Sequence, residues 1–309
     1  MAQKHWDEFW EQGFITTFGA PLEHNYTGKL KALWEQLFSN LCSGNNLLDL
    51  GTGNGALPCI AYSVLNKRNK SVNIHAIDSA KIPPNITASP EIQEARKNIQ
   101  FSGESPCESL RFPDNKFDLI TSQFGIEYSN WAQSLPEVFR VLKPGCGSHF
   151  VCHSLSSALI IATKQDLSVY KSALEEQKVF DHAALFAQQF QMEGEKKSTA
   201  ARALNDSINE LRSRHPDQEL SQIIVSDLSQ QLRQLKTTPP EIVKESIKAR
   251  ERSFIAAQAR QKDMLNAALD ESDVTYILQL AKKIGFESCT AEDFSQDGNL
   301  IGVYISLTK

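Results

Sequence analysis

Hydrophobic residues follow two alternating patterns along the first half of the chain. Short apolar runs, typical of buried strands, are separated by stretches in which apolar residues recur every third or fourth position, as in amphipathic helices. The predicted strands cover residues 47–50, 72–77, 99–101, 117–122 and 148–153. The predicted helices between them cover residues 56–65, 90–97 and 131–142. This alternation favours an α/β fold with a doubly wound, mainly parallel sheet.

The pattern returns near the end of the chain. A predicted helix at 274–284 is ended by Gly285, and two closing strands are predicted at 286–290 and 300–307. We therefore expect a Rossmann-like sheet of about seven strands. The residues assigned to this domain are 42–154 and 271–309.

Two helical segments are added to this sheet. Residues 1–41 are predicted to be helical, with Trp6, Phe9, Trp10 and Phe14 at helical spacing. This segment is interpreted as a helix packed on the core, and the family resemblance described below also implies a lid over a ligand. In its second helix, one face is expected to carry Leu30, Leu33, Leu37 and Leu41.

Residues 155–270 contain no convincing strand and are rich in Gln, Glu, Lys and Ala. They are predicted to form a large helical insertion after the fifth strand. Its apolar stripes must be buried somewhere, so the insertion is interpreted as a substrate cap, as an oligomer contact of a homodimer, or as both.

Composition narrows the function classes. The chain has 309 residues and a formal net charge of −5, which disfavours nucleic-acid binding because phosphate backbones attract basic surfaces. The six cysteines form no C-x-x-C pair, so we predict no metal site. No apolar run reaches the length of a membrane span, and no secretory signal is visible. A cytoplasmic location is therefore expected.

A glycine-rich turn follows the first predicted strand. Gly51, Gly53 and Gly55 lie between residues 47–50 and the helix that begins at Ala56. Glycines let the backbone turn sharply and let a ligand approach, while the helix N-terminus supplies free N–H groups. The spacing also fits the G-x-G-x-x-G/A fingerprint of nicotinamide dinucleotides, so the turn by itself leaves the cofactor open.

Three further features narrow this choice. Asp49 precedes the turn in D-L-G-T-G-N-G, residues 109–128 read SLRFPDNKFDLITSQFGIEY, and residues 139–147 read FRVLKPGCG. In this order they resemble motifs of class I S-adenosylmethionine-dependent methyltransferases, closest to the small-molecule and lipid group that includes ubiquinone and menaquinone biosynthesis. The resemblance implies transfer of a methyl group from S-adenosyl-L-methionine to a small-molecule or lipid-like acceptor by in-line displacement.

The resemblance also implies the cofactor contacts. Asp49 would orient the glycine turn and the methionine end of the cofactor, and Asp78, which ends the second strand, would bind the ribose. The other predicted contacts are Gly51, Thr52, Gly53, Asn54, Gly55, Ser79, Glu108 and Gln123. Residues 103–108 differ in length from the family segment that carries an adenine-binding acid, so Glu108 is one of several candidates there.

Candidates for catalysis follow the fourth and fifth strands. Glu127 and Tyr128 come after residues 117–122, and His153 ends residues 148–153. Methyl transfer needs a general base only where the acceptor must lose a proton. His153 is interpreted as that base or as a hydrogen-bonded structural histidine. Glu127 is interpreted as a base, a clamp on the acceptor or a solvated carboxylate.

Other functions fit parts of the sequence. A nicotinamide-dependent oxidoreductase shares the glycine turn but not the two later motifs. A catalytically inactive S-adenosylmethionine-binding module would keep Asp49, the glycines and Asp78. A nucleic-acid methyltransferase is disfavoured because the Asp/Asn-Pro-Pro-aromatic motif of the amino-group enzymes is absent.

Overall fold

The computed structural model describes residues 4–17 and 25–309, which form two compact units. The sheet unit contains the described residues up to Ile160 together with Asn266–Lys309. The helical unit contains Ile161–Leu265 and lies within the stretch predicted to be an insertion. Whether that stretch acts as a cap or as an oligomer contact stays a prediction.

Seven strands form one sheet and confirm the predicted Rossmann-like fold. They are β1 (Asn46–Leu50), β2 (Asn73–Ile77), β3 (Ile99–Ser102), β4 (Phe117–Gln123), β5 (Leu142–His153), β6 (Ser288–Gln296) and β7 (Asn299–Thr308). Their order is β3-β2-β1-β4-β5-β7-β6, with β7 antiparallel to both of its neighbours and the other pairs parallel. The chain order reverses between β1 and β4, which is where such sheets bind ligands.

Helices cover both faces of the sheet. In chain order they begin with α1 (Lys4–Trp10), α2 (Gly28–Ser39), α3 (Ala56–Lys67), α4 (Pro90–Lys97) and α5 (Trp131–Val141). Residues of α2, α3 and α4 share a buried core with one face, and residues of α5 share a second core with the other face. The central strands β1 and β4 are thereby buried along almost their whole length, as expected for parallel strands covered on both faces.

The helical unit has its own core. Its helices are α6 (Ala158–Tyr170), α7 (Val179–Gln189), α8 (Glu195–Arg214), α9 (Glu219–Arg233) and α10 (Pro240–Ala267). Their inward faces bury aromatic and branched residues such as Phe180, Leu211, Ile224, Leu228 and Ile247. Throughout the described ranges, no helix is long and apolar enough to cross a membrane.

The chain returns to the sheet through α11 (Glu271–Ile284). Asp270 caps this helix: its side chain accepts the Asp273 N–H, and Asp273 accepts the Asp270 N–H. Gly285 ends it at a φ of 122°, as the sequence predicts. α11 packs beside α5 in the second core.

The sequence prediction was wrong in several details, among them the inward face of α2 and the start of β5. The buried side of α2 carries Leu30, Trp34 and Phe38, whereas Leu33 and Leu37 are only partly buried. The two aromatic rings fill more of the core than the leucines, so they set the inward face.

The second error concerns β5, which starts at Leu142 and not at residue 148. The Lys-Pro-Gly segment ends α5 and also extends the strand. Gly145 N–H donates to the carbonyl of Lys309 at 2.6 Å, so the end of the chain satisfies backbone groups that the sequence pattern assigns to a turn.

The orientation of α2 predicts unequal mutational effects. Phe38→Ala should lower the unfolding free energy by about 3–5 kcal/mol, because it removes a fully buried ring. Leu37→Ala, the adjacent control, should cost less because its side chain is only partly buried. Urea unfolding measures both, and a larger loss for Leu37→Ala would contradict this orientation.

Candidate functional site

The glycine turn lies where β1 gives way to α3. Gly51, Gly53 and Gly55 have φ angles of 63°, 52° and 91°, which non-glycine residues rarely adopt. A Cβ on Gly51 would lie 2.6 Å from Cα of Gly125, which follows β4. The two backbones touch at the point of strand reversal, and only glycines permit this approach. Gly125 is a site residue that the sequence reasoning missed, although a glycine directly after a strand was a usable signal.

Asp78 fastens the turn to the end of β2. Its carboxylate oxygens accept the N–H of Gly53 at 2.7 Å and the N–H of Ala80 at 2.8 Å. Burial raises the pKa of this carboxyl above its usual range, and the two backbone donors oppose that shift. Its predicted ribose contact would use lone pairs that these bonds leave free.

Asp49 lies within β1 and is buried. Its Oδ1 accepts the Thr121 hydroxyl of β4 at 2.8 Å, which ties the two central strands together. Burial raises the pKa of Asp49 to about 7, while Thr52 and Thr121 act in the opposite direction. A cationic ligand group at this position would restore the charged form.

Asn54 holds the N-terminal segment. Its Nδ2 donates to the carbonyls of Trp10 and Phe14, at 3.0 and 2.8 Å. Its Oδ1 is buried and has no hydrogen-bond partner among the described residues. Asn54 therefore uses its amide N–H groups within the protein, while its amide oxygen is available to a ligand.

The N-terminal segment covers the turn. A Cβ on Gly53 would lie 2.4 Å from the Trp10 ring, and Asp7 accepts the Lys81 N–H at 2.8 Å. Phe14, which the periodicity placed in α1, lies beyond the end of that helix at Trp10. The remaining link to α2 includes residues 18–24, which lie outside the described residues.

Two small cavities remain beneath this segment. One of about 80 Å³ is lined in part by Trp10, Gly51, Asp78, Ser79 and Tyr128. The other, of about 30 Å³, is lined in part by Trp10, Asp49, Gly51, Thr52 and Gln123. Small-molecule sites usually measure about 300–1,000 Å³. The residues present fit a cofactor with ribose and amino-acid groups, and both cavities, which Trp10 helps to line, are smaller than this range.

Two predicted contacts already have hydrogen-bond partners within the protein. Glu108 lines neither cavity, and its Oε1 accepts the Asn130 N–H at 2.8 Å at the start of α5. Gln123 accepts the indole N–H of Trp34 through its Oε1. The cofactor contacts assigned to Glu108 and Gln123 both stay predictions.

The three candidate catalytic residues are brought together. Glu127 and Tyr128 lie on the single helical turn Ile126–Tyr128 after β4, and His153 ends β5. Oε1 of Glu127 lies 2.8 Å from Nδ1 of His153 and also accepts the His153 backbone N–H at 3.0 Å. Phe124 stacks on the imidazole with ring centroids 4.3 Å apart, and Tyr128 meets it edge-on at 6.0 Å.

This geometry fixes the tautomer of His153. A carboxylate only accepts hydrogen bonds, so Nδ1 carries the proton and Nε2 of the neutral ring is a proton acceptor. Nε2 makes no hydrogen bond with the described residues. Oε2 of Glu127 is also buried without a hydrogen-bond partner in this part of the chain. Glu127 raises the pKa of the neighbouring Cys152 thiol, after the larger effect of burial.

Asp49→Asn should alter the pH dependence of stability. An aspartate has a pKa of about 3.9 when unfolded, and the pKa of Asp49 is about 7 in the fold. Between these values the folded chain keeps a proton that the unfolded chain has lost, so the unfolding free energy falls as the pH rises.

Relative to the asparagine variant, the wild type should lose up to about 4 kcal/mol between pH 4 and 7. Urea unfolding across this range measures the difference. Parallel pH profiles for the two chains would show that Asp49 keeps an ordinary pKa.

Comparison with known proteins places this site in a family. The profile of the ubiE/COQ5 methyltransferase family matches residues 28–190, just over half of the chain. A ubiquinone/menaquinone biosynthesis C-methyltransferase of Geobacter sulfurreducens is 32% identical over 108 residues, which are 33% of this chain and 39% of that protein. A demethylmenaquinone methyltransferase of Thermus thermophilus is 34% identical over 101 residues, which are 32% and 43% of the two chains.

This chain thus spans about two fifths of the length of those relatives. A solved S-adenosylmethionine-dependent methyltransferase from Methanococcus maripaludis covers 99% of this chain and 91% of its own, with 14% identity and a TM-score of 0.43. That overlap is too loose to support an argument. The family profile, in contrast, confirms the resemblance drawn from the sequence motifs and gives no support to a nicotinamide-dependent enzyme. The chain belongs to the ubiE/COQ5 methyltransferase family.

Proposed function

We propose that this protein transfers a methyl group from S-adenosylmethionine to a carbon atom of a lipid-like, hydroxylated aromatic acceptor of the quinol class. Family membership and the names of the relatives support the reaction and the acceptor class. The observation that carries the proposal is the buried Glu127–His153 pair, at the carboxyl ends of β4 and β5, with an unpartnered ring nitrogen.

When bound, S-adenosylmethionine would supply an electrophilic methyl group, and its sulfur would keep the electron pair of the broken carbon–sulfur bond. Asp49, Asp78 and the free Oδ1 of Asn54 would hold its polar groups at the glycine turn. Because the reactive group arrives already activated, the protein mainly has to position the acceptor and exclude water.

In this proposal His153 is the general base that removes a proton from the acceptor. Nε2 takes the proton of the acceptor hydroxyl, which raises the electron density of the ring and makes its carbon nucleophilic. Glu127 holds the imidazole in the required tautomer and stabilises the imidazolium that forms. The ring carbon gains the methyl group and then loses its own proton to solvent, which restores the aromatic ring as its phenolate, and the imidazolium of His153 returns its proton to that oxygen.

Substitution of the pair tests the proposed function. With S-adenosylmethionine and a demethylmenaquinol acceptor, wild type should give a product heavier by one methylene group. His153→Ala should lower kcat by about 10²–10⁴-fold, while Glu127→Gln should reduce kcat through the loss of the anionic partner. The affinity for S-adenosylhomocysteine should stay within about twofold in both variants, because neither residue is assigned to the cofactor.

His149→Ala is the matched control. His149 is also on β5, but its Nδ1 lies 2.7 Å from the Tyr304 hydroxyl, away from the pair. If the His153→Ala variant turns over at the same rate as the His149→Ala control, His153 does not act as the base. Binding of S-adenosylhomocysteine without methylation of any quinol would favour an inactive binding module.

We also propose that the N-terminal segment is a lid that leaves the glycine turn when the cofactor binds. The Trp10 ring occupies space against Gly53, and Asn54 and Lys81 hold the segment through hydrogen bonds.

Movement of this lid should be visible in tryptophan fluorescence. Trp10 is 7% exposed, so its displacement into water should shift the emission to longer wavelength on titration with S-adenosylhomocysteine. Trp10→Phe should lose the shift, and Trp131→Phe should keep it. An unchanged shift in Trp10→Phe would contradict movement of α1.

A further inference from the structure

The helical unit contains a polar groove between α8 and α9. Its volume is about 480 Å³. Its polar lining consists of Arg212, Gln222, Ser226, Ser229, Gln230 and Arg233. We call this feature the arginine groove. Its lining includes none of the proposed methyl-transfer residues, and the family resemblance assigns nothing to it.

Helical periodicity gathers these side chains. Gln222, Ser226, Ser229 and Arg233 are three or four residues apart and therefore share one face of α9. Arg212 comes from the last turn of α8, which a short link joins to α9. The groove thus follows from the sequence of one helix hairpin.

Neither arginine of the groove is neutralised. Arg212 and Arg233 form no ion pair with any residue in the described ranges. Nearby carboxylates are used elsewhere: Glu210 lies 2.7 Å from Arg214, and Asp227 lies 2.9 Å from Arg250. Two like charges therefore share a groove that carries no carboxylate in its lining.

Neutral donors complete the lining. The Ser226 hydroxyl and the amides of Gln222 and Gln230 have no hydrogen-bond partner within the described residues, so they are available to a ligand. Ser229 donates to the carbonyl of Val225 at 2.7 Å and is already used. Guanidinium forks surrounded by hydroxyl and amide donors match the oxygens of a phosphoryl group.

We propose that the arginine groove binds a phosphoryl anion, either that of a soluble phosphate compound or that of a phospholipid headgroup. The groove is open to solvent, because its polar lining apart from Ser229 is exposed, and its volume of about 480 Å³ is large enough for a phosphoryl group. The protein as a whole is acidic, with a net charge of −5, so a long polyanion such as nucleic acid would be repelled outside the groove.

Two probes distinguish the sources of the anion. Inorganic pyrophosphate is titrated into the full-length chain by calorimetry, and vesicles of phosphatidylcholine with phosphatidylglycerol are co-sedimented with it against pure phosphatidylcholine vesicles. The test variant is R212Q/R233Q. The control is R202Q/R252Q, which removes the same charge from two exposed arginines of the helical unit that lie outside the groove.

We expect wild type and control to bind at least one probe with a Kd about tenfold or more below that of R212Q/R233Q, a difference of about 1.4 kcal/mol. Binding of pyrophosphate identifies a soluble ligand, and binding of the anionic vesicles alone identifies a headgroup. An equal loss of probe affinity in R212Q/R233Q and R202Q/R252Q would show that only the net charge matters, and it would overturn the proposal. Failure of wild type to bind either probe would also overturn it.

Discussion

The contact between Gly51 and Gly125 determines where everything else in the site lies. It joins the turn after β1 to the turn after β4, at the one point where the order of the strands reverses. On one side of this contact the backbone curves toward Asp78 and the start of α3. On the other side it leads within two residues to Glu127. The residues predicted to bind the cofactor and those proposed to act on the acceptor are therefore placed by a single backbone approach that tolerates no side chain.

Burial of charge is the second constraint on this site. Asp49, Asp78 and Glu127 are all buried, and each would be costly without partners. The protein meets this cost in three ways: with a threonine hydroxyl for Asp49, with backbone N–H groups for Asp78 and with an imidazole for Glu127. The polar groups proposed to bind the cofactor and to react are thus the same groups that hold the ends of the strands together.

The sequence predicted the parts of this arrangement that depend on local pattern. The strands, the glycine turn and the carboxylates at strand ends follow from apolar runs and from the geometry of a parallel sheet, in which side chains after neighbouring strands meet. That reasoning also placed Glu127 and His153 at one edge, although it left their roles open. It could not give the hydrogen bond between them, because the distance depends on the helical turn at residues 126–128.

Other features depend on tertiary packing and had no clear local signal. The inward face of α2 was misjudged because leucine spacing competes with two larger aromatic residues, Trp34 and Phe38. The engagement of Glu108 by the Asn130 N–H depends on where α5 begins. The arginine groove was also not foreseen, because the missing counter-charges become evident only once Glu210 and Asp227 are seen paired elsewhere.

The two hydrogen bonds from Asn54 to the N-terminal segment have a kinetic consequence for the proposed enzyme. Because Trp10 occupies space at the turn, every exchange of spent for fresh cofactor has to break the bonds from Asn54 and then remake them. Motions of this size take microseconds to milliseconds. The upper limit on turnover would therefore be set by a short aromatic segment, and a faster chemical step would not raise it.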